Sequence, residues 1–373
     1  MILTDAYRWC GTFAALSFLI LGAQAPASPI DPEKGVASPD GKTIWYDCKL
    51  VGVEGKGWAD TKSFYDRLPA KAEEKVPASV WGLSHNSAGM CVRFTTDAPQ
   101  VQVRWALPPK ANLSMPHMPA TGVSGVDLYA RDEAGRWAFV GNGRPAGPTN
   151  TASFAVRAGA ECLLYLPLYN GVTSVEIGIA RGKALSTVVP AAGAGSKKPV
   201  VIYGTSITQG GCASRPGLAF PAIMGRKLDV PVINLGFSGS GRMEPALAEL
   251  LAELDPSVYV LDCLWNMSPE QVRERVEPFV KALRAARPDT TIVLAEDCSV
   301  KNASPTTKGQ IVREIHKRLT DQGVKGVHFL PNPGMLGDDG EGTVDGVHPN
   351  DLGMMRQADV FAKALAPILA GTK

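Results

Sequence analysis

Four short stretches of this 373-residue chain carry side chains that together could perform acyl transfer. Residues 200–211 read "VVIYGTSITQGG", an apolar run that stops on glycine and presents Thr205 and Ser206; "NLGFSGSG" holds Gly239, "LDCLWNMS" holds Asn266, and "DGVHPND" holds Asp345 and His348. A serine hydroxyl is a poor nucleophile at neutral pH unless a base adjoins it. An imidazole can take its proton, and a carboxylate can fix that imidazole's tautomer and orientation. Asp345 stands three residues before His348, so one loop could carry both groups. The tetrahedral intermediate then needs donors, and the backbone N–H of Ser206, the backbone N–H of Gly239 and the side-chain amide of Asn266 are the candidates. Asn234, in "VPVINLGF", competes with Asn266 for the last role. Singly, each stretch reads as ordinary turn material. Their joint order along the chain carries the reading.

Those residues need a scaffold, and the second half of the chain supplies its pattern. "VVIYGT", "VPVINLGF", "VYVLDCLW", "TIVLAEDC" and "GVHFLP" alternate with helical stretches, which predicts a five-stranded parallel sheet covered by helices. Val272, Val276, Phe279, Val280 and Leu283 keep one face of a helix, as do Ile311, Ile315 and Leu319 in the next. A last helix is expected over about 351–369. Ligands of open parallel sheets bind beyond the carboxyl ends of the strands. Ser206, Gly239, Asn266 and His348 follow the first, second, third and last strands in turn. Glu296 and Asp297 end the fourth strand on the same side, where they would contact substrate or serve a helix-cap or loop role. The glycines of "GFSGSG" run G-x-x-G-x-G, and no complete G-x-x-x-x-G-K-S/T phosphate loop occurs, Gly41-Lys42-Thr43 having Val36 where the first glycine would stand, so no nucleotide cofactor is expected; no metal site is expected either.

The first half has a different texture. Short alternating runs over about 43–180, among them "CVRFTT", "VQVRW", "GVDLYAR" and "SVEIGI", predict an antiparallel β-sandwich, jelly-roll-like. Asp127 and Tyr129 alternate with Val126 and Leu128, as in a half-buried strand of that sandwich. Residues 190–199, "PAAGAGSKKP", look like a linker. The expected organisation is a leader over 1–25, a sandwich over 26–190, a linker over 191–197 and an α/β portion over 198–373. In "SMPHMPATG", His117 sits in a proline-bent loop with apolar neighbours and is a candidate wall of the substrate cleft. The isolated His85 reads as surface or satisfied core.

Composition sets the outer limits. With 45% hydrophobic and 20% charged residues and a mean hydropathy of −0.01, the chain can build cores and is no multi-span membrane protein. A formal charge of +2 and the absence of any long basic run set nucleic acid aside. Residues 1–25 place Arg8 ahead of an apolar stretch and end in Ala23, Gln24 and Ala25, the layout of a cleaved export signal; the stretch from Gly11 to Ala23 is short for a bilayer span. Export to the periplasm or the exterior is therefore expected, with no membrane span in the mature chain. Cys10 would leave with the leader. The other six cysteines show no metal or dense disulfide spacing and read mostly as buried small hydrophobes.

At this point the blocks resemble the SGNH (or GDSL) hydrolases. "YGTSITQGG", "NLGFSG", "LWN" and "DGVHP" match the family's serine, glycine, asparagine and histidine as Ser206, Gly239, Asn266 and His348, with Asp345 as third member of the triad. Thr205 stands where the family usually has aspartate, and Trp265 and Met267 flank Asn266 where glycine and aspartate are common. "SGVDLYAR" and "YLPLYNGV" look like the G-x-D-L-Y β-sandwich that precedes the hydrolase in one secreted bacterial branch. The resemblance implies a carboxylic ester hydrolase for small acyl groups, with O-acetyl groups on polysaccharides the leading substrate and an acylated carbohydrate or other small ester as its partner molecule. Two alternatives stand beside it: a lipid or thioester hydrolase on the same triad, and a catalytically idle glycan-binding protein.

Overall fold

The computed structural model describes residues 27–188, 197–300 and 303–371. The leader expected over 1–25 and the linker expected over 191–197, apart from Lys197, lie outside them. Five parallel strands lie in the spatial order Val232–Gly236, Val200–Gly204, Val258–Asp262, Thr291–Ala295, Val327–Leu330. The chain starts inside the sheet, adds one strand on one side, then crosses back and adds three on the other. The switch point therefore lies beside Val200–Gly204, and Ser206 follows that strand directly. Strands Val200–Gly204 and Val258–Asp262 are buried at every residue, as a sheet covered on both faces requires.

Helices Pro269–Ala286 and Thr307–Asp321 cover one face with the residues the periodicity singles out. The first begins at a capping box in which Ser268 and Gln271 satisfy each other's backbone N–H, with proline at the first helical position. Helices Phe220–Leu228 and Asp351–Gly371 cover the other face and pack Phe220 against Phe361 with tilted rings, centroids 4.9 Å apart. Among the described residues no helix is long and apolar enough to cross a membrane.

Upstream, a seven-stranded and a five-stranded antiparallel sheet enclose a core that includes Phe94, Val103, Trp105, Leu128, Leu164 and Ile177. Strand Gln100–Ala106 alternates buried and half-exposed residues, as one covered face dictates. Strand Val126–Arg131 departs from the half-buried expectation. Its first five residues are all buried, because its outer face lies against the α/β portion: Asp127 accepts from the Gly217 N–H at 2.9 Å and from Arg215 Nη1 at 2.8 Å.

Residues 57–84, read as part of the β-rich half, form no sandwich strand. Trp58, Leu68, Ala72, Val76 and Val80 cross over and join the core on the parallel sheet, with Ile233, Leu235, Phe237 and Leu251. Strand Val232–Gly236 is an edge, and the carbonyls on its open side need partners. The buried Arg67 guanidinium supplies them, donating through Nη1 to Asn234 O at 3.2 Å and Gly236 O at 2.7 Å. Its other donors serve Asn86 O and Leu83 O.

Candidate active site

Strand Val200–Gly204 runs into Thr205, whose hydroxyl accepts from the Ile207 N–H and starts the one-turn helix Ser206–Gln209. Ser206 is only 8% exposed. Its Oγ lies 2.8 Å from His348 Nε2, and His348 Nδ1 lies 2.8 Å from Asp345 Oδ2. Serine and histidine are 142 positions apart in sequence, and they meet because both follow carboxyl ends of the sheet. The loop that carries His348 is pinned from inside. Asp345 Oδ1 accepts from the backbone N–H of Val347 at 2.9 Å and of His348 at 2.7 Å. Partial burial pushes the Asp345 carboxyl up, but those two N–H groups and the imidazole outweigh it and bring it down to about 2. An ionised Asp345 can only accept, which places the ring proton on Nδ1 and leaves Nε2 to receive the serine proton.

The donor set is partly as expected. Ser206 opens its helix, so its N–H has no partner within that turn. Gly239 has φ +65° with open space where a Cβ would stand, a left-handed conformation that suits glycine and leaves its backbone uncovered. Asn266 packs on the same loop, its Nδ2 donating to the carbonyls of Ser240 and Phe237. Two carbonyls around one amide position fix the nitrogen there. Asn234, the rival, is buried with both ends engaged, Nδ2 on Thr208 O and Oδ1 on the Gly236 N–H.

Two further sequence candidates separate. His117 is brought to the site, its ring centroid 6.1 Å from that of His348 on an exposed loop closed by the Met115 and Met118 bridge. Glu296 is not. Fully buried, it accepts from the Thr306 N–H at 2.6 Å, the Asn332 N–H at 3.1 Å and Ser304 Oγ at 3.1 Å, so it braces the loop after the fourth strand instead of facing substrate. Asp297 likewise accepts from Thr306 Oγ1. Among the described residues no group of three or more His, Cys, Asp or Glu stands ready to hold a metal ion.

Sequence reasoning missed two residues. Tyr169, from the β-rich half, donates its hydroxyl to the Ser206 carbonyl at 3.3 Å. Gly211 permits that approach: a Cβ there would lie 2.9 Å from the Tyr169 hydroxyl and 3.0 Å from Ser206 O. Gln209 Oε1 accepts from the Ser238 N–H, beside Gly239, while its Nε2 donates to Leu168 O and Asn86 Oδ1. The only sequence signal was their place inside quoted motifs, "YLPLYNGV" and "TSITQGG", which says nothing about partners 29 or more residues away.

Comparison with known proteins bears on the whole arrangement. Residues 197–366 match a family described as GDSL-like lipase/acylhydrolase, and residues 43–185 match one described as the GxDLY N-terminus of SGNH hydrolase-type esterases. A crystal structure from Bacteroides ovatus, assigned as a GDSL-like lipase, is 33% identical with a TM-score of 0.80, covering 88% of this chain and 98% of that one. A salicylyl-acyltransferase from a tetracycline biosynthetic pathway shares the fold at 19% identity and TM-score 0.64, over 90% of this chain and 96% of that one. A family two carbohydrate esterase from Clostridium thermocellum, in complex with cellohexaose, shares it at 14% identity and TM-score 0.51, over 76% and 93%. No curated protein matches.

Proposed function

Since this chain belongs to the GDSL-like lipase/acylhydrolase family and is a carboxylic ester hydrolase, we propose that Ser206, His348 and Asp345 are its catalytic triad and that it removes short acyl groups, acetyl foremost, from polysaccharides outside the cytoplasm. The observation that carries this reading is the unbroken chain from Ser206 Oγ through His348 to Asp345, each link 2.8 Å. Ser206 Oγ attacks the ester carbonyl as its proton passes to His348 Nε2. Asp345 stabilises the imidazolium, and the oxyanion takes the N–H groups of Ser206 and Gly239. The leaving sugar oxygen collects the proton from His348, giving an acyl-serine and a free hydroxyl. Water, deprotonated by the same imidazole, then attacks the acyl-serine, and the imidazolium returns that proton to Ser206 Oγ as the bond to carbon breaks and acetate leaves. Asn266 is proposed as the support of the Gly239 loop, since its amide nitrogen faces that loop's carbonyls.

The substrate class rests on the family branch and on the fold shared with carbohydrate esterases. Export rests on the leader pattern of residues 1–25 and on the sandwich. The two expected units, 26–190 and 198–373, are proposed to act as one, because the first supplies the Tyr169 contact to the second. The deciding experiment measures acetate and longer acids released from aryl esters and acetylated polysaccharides. The wild type should turn over acetyl esters and lose activity steeply past about four carbons, as a small pocket overfills. Ser206→Ala should lower kcat by at least about 10⁴-fold. Equal turnover of long-chain esters would point to the lipid or thioester reading, and no turnover by folded wild type would point to an idle binder.

A further inference from the structure

Beyond the triad, a cavity of about 360 Å³ opens where the sandwich meets the loop that leaves the nucleophile turn, lined by Thr121, Phe139, Asn142, Arg144, Ser214 and Arg215. Its lining holds two arginines and no acidic residue. Arg215 is fixed in place: Nη1 donates to the buried Asp127 carboxylate at 2.8 Å and to the Tyr129 hydroxyl oxygen at 2.6 Å, and its guanidinium lies 3.8 Å over the Phe139 ring centroid. Nη2 of Arg215 has no partner among the described residues. Phe139 is nevertheless 47% exposed, an aromatic ring backed by a cation and open to solvent. Arg144 is exposed and makes no ion pair or hydrogen bond among the described residues.

The cavity is also tied to the triad through the chain. Ser214 and Arg215 end the loop that starts at the nucleophile helix Ser206–Gln209, and the Thr121 hydroxyl donates to Ser214 O at 2.6 Å. Thr121 belongs to the short helix Ala120–Val123, which follows directly on the loop that holds His117 beside His348. Thr121 and Ser214 thus join the cavity rim to the two chain segments that carry His117 and Ser206.

We infer that the cavity is a second sugar subsite, taking an acidic residue (carboxylate or sulfate) of the polysaccharide whose neighbouring sugar is deacylated at Ser206. The ring of that sugar would stack on the open part of Phe139. Its anionic group would meet Arg144 and the free edge of Arg215, whose planar forks suit carboxylate and sulfate oxygens alike. Because Arg215 is already held by Asp127 and Tyr129, binding orders little that is not ordered before. The inference deepens the carbohydrate reading above and rests on it for the neighbouring sugar.

The test is binding, which does not require turnover. Calorimetry on the full chain carrying Ser206→Ala would compare de-esterified oligogalacturonate, a sulfated oligosaccharide of equal length and a neutral cello-oligosaccharide. At least one acidic ligand should bind ten-fold or more tighter than the neutral one, and its affinity should fall with added salt. Arg144→Gln should erase most of that preference, and Arg144→Lys should restore part of it; all variants should keep the parent melting temperature, since Arg144 is exposed. Which acidic ligand binds decides between carboxylate and sulfate. Binding that is indifferent to charge or to Arg144, or no binding of either acidic ligand by folded protein, overturns the subsite. Acetate release from aryl esters by the wild type separately tests the esterase, so the two failures are distinguishable.

Discussion

At the scale of single residues, the site is built from groups whose donors and acceptors are committed before any substrate arrives. Asp345 spends one oxygen on its own loop and the other on the imidazole. Tyr169 reaches the carbonyl of Ser206 from the far side of the turn. The Ser206 peptide is therefore anchored by a hydroxyl from the other half of the chain. Tyr169→Phe removes one neutral hydrogen bond, worth about 1 kcal/mol. The expected outcome is a fall in kcat of about fivefold on acetyl esters with KM little changed, checked by steady-state kinetics against a melting curve that stays within a few degrees of wild type. Ser206, Asp345 and His348 were legible because their chemistry demands those residue types and chain order gave their places on the sheet. Tyr169 and Gln209 were not, because a hydrogen bond to a backbone carbonyl asks for no particular sequence at the other end. Glu296 was open to two readings, since an acid at a strand end can face substrate or hold a loop, and here it serves the backbone of the following loop.

At the scale of elements, periodicity fixed what it could reach. All five parallel strands and the long helices were readable, since a two-sided sheet needs continuous apolar runs and an amphipathic helix a 3.6-residue stripe. Residues 57–84 were not readable, because they follow neither period; they are shaped by the sheet edge that Arg67 closes. One contact between elements carries a pH dependence. Asp262 ends the third parallel strand in chain order, and its Oδ2 accepts from Thr208 Oγ1, in the helix Ser206–Gln209, at 2.7 Å. Burial pushes the Asp262 carboxyl up to about 7, helped by nearby Asp297 and opposed by the Thr208 hydrogen bond. A carboxyl whose folded pKa is raised binds its proton more tightly in the native state. Its contribution to stability is therefore greatest below its unfolded pKa, near 4, and is lost as pH rises toward 7. Asp262→Asn keeps an acceptor for Thr208 and never ionises. Relative to wild type it should gain stability steadily between pH 5 and 7, by about 1 kcal/mol per pH unit at most, and hold that gain above pH 7; urea unfolding across pH measures it. A difference that does not change with pH would show that Asp262 does not titrate in this window.

At the scale of the whole molecule, the two halves are joined by side-chain contacts, of which the Asp127 cluster is buried. Asp127 and Tyr129 of the "GVDLY" stretch hold Arg215 and reach Gly217, Arg131 pairs with Asp229 at 2.5 Å, and Trp58 Nε1 donates to Glu253 at 2.9 Å. A chain starting at Lys197 would expose Ile233, Leu235 and Phe237, leave the edge carbonyls of Asn234 and Gly236 unpaired, and lose Tyr169. Such a fragment should show no cooperative melt and no esterase activity, measured by calorimetry and aryl acetate turnover; a folded, active fragment would mean the joint is dispensable. The six described cysteines are all free and buried, so this integrity does not rest on disulfides between described residues. The Gln209 bridge, which ties the nucleophile helix to the Gly239 loop with one end and to Leu168 and Asn86 with the other, has a consequence for how such a protein can change over evolutionary time. Recombination that swapped the sandwich for another module would remove the Leu168 and Asn86 ends of that bridge, so change in this protein is expected to come by point substitution along the shared rim and not by shuffling parts.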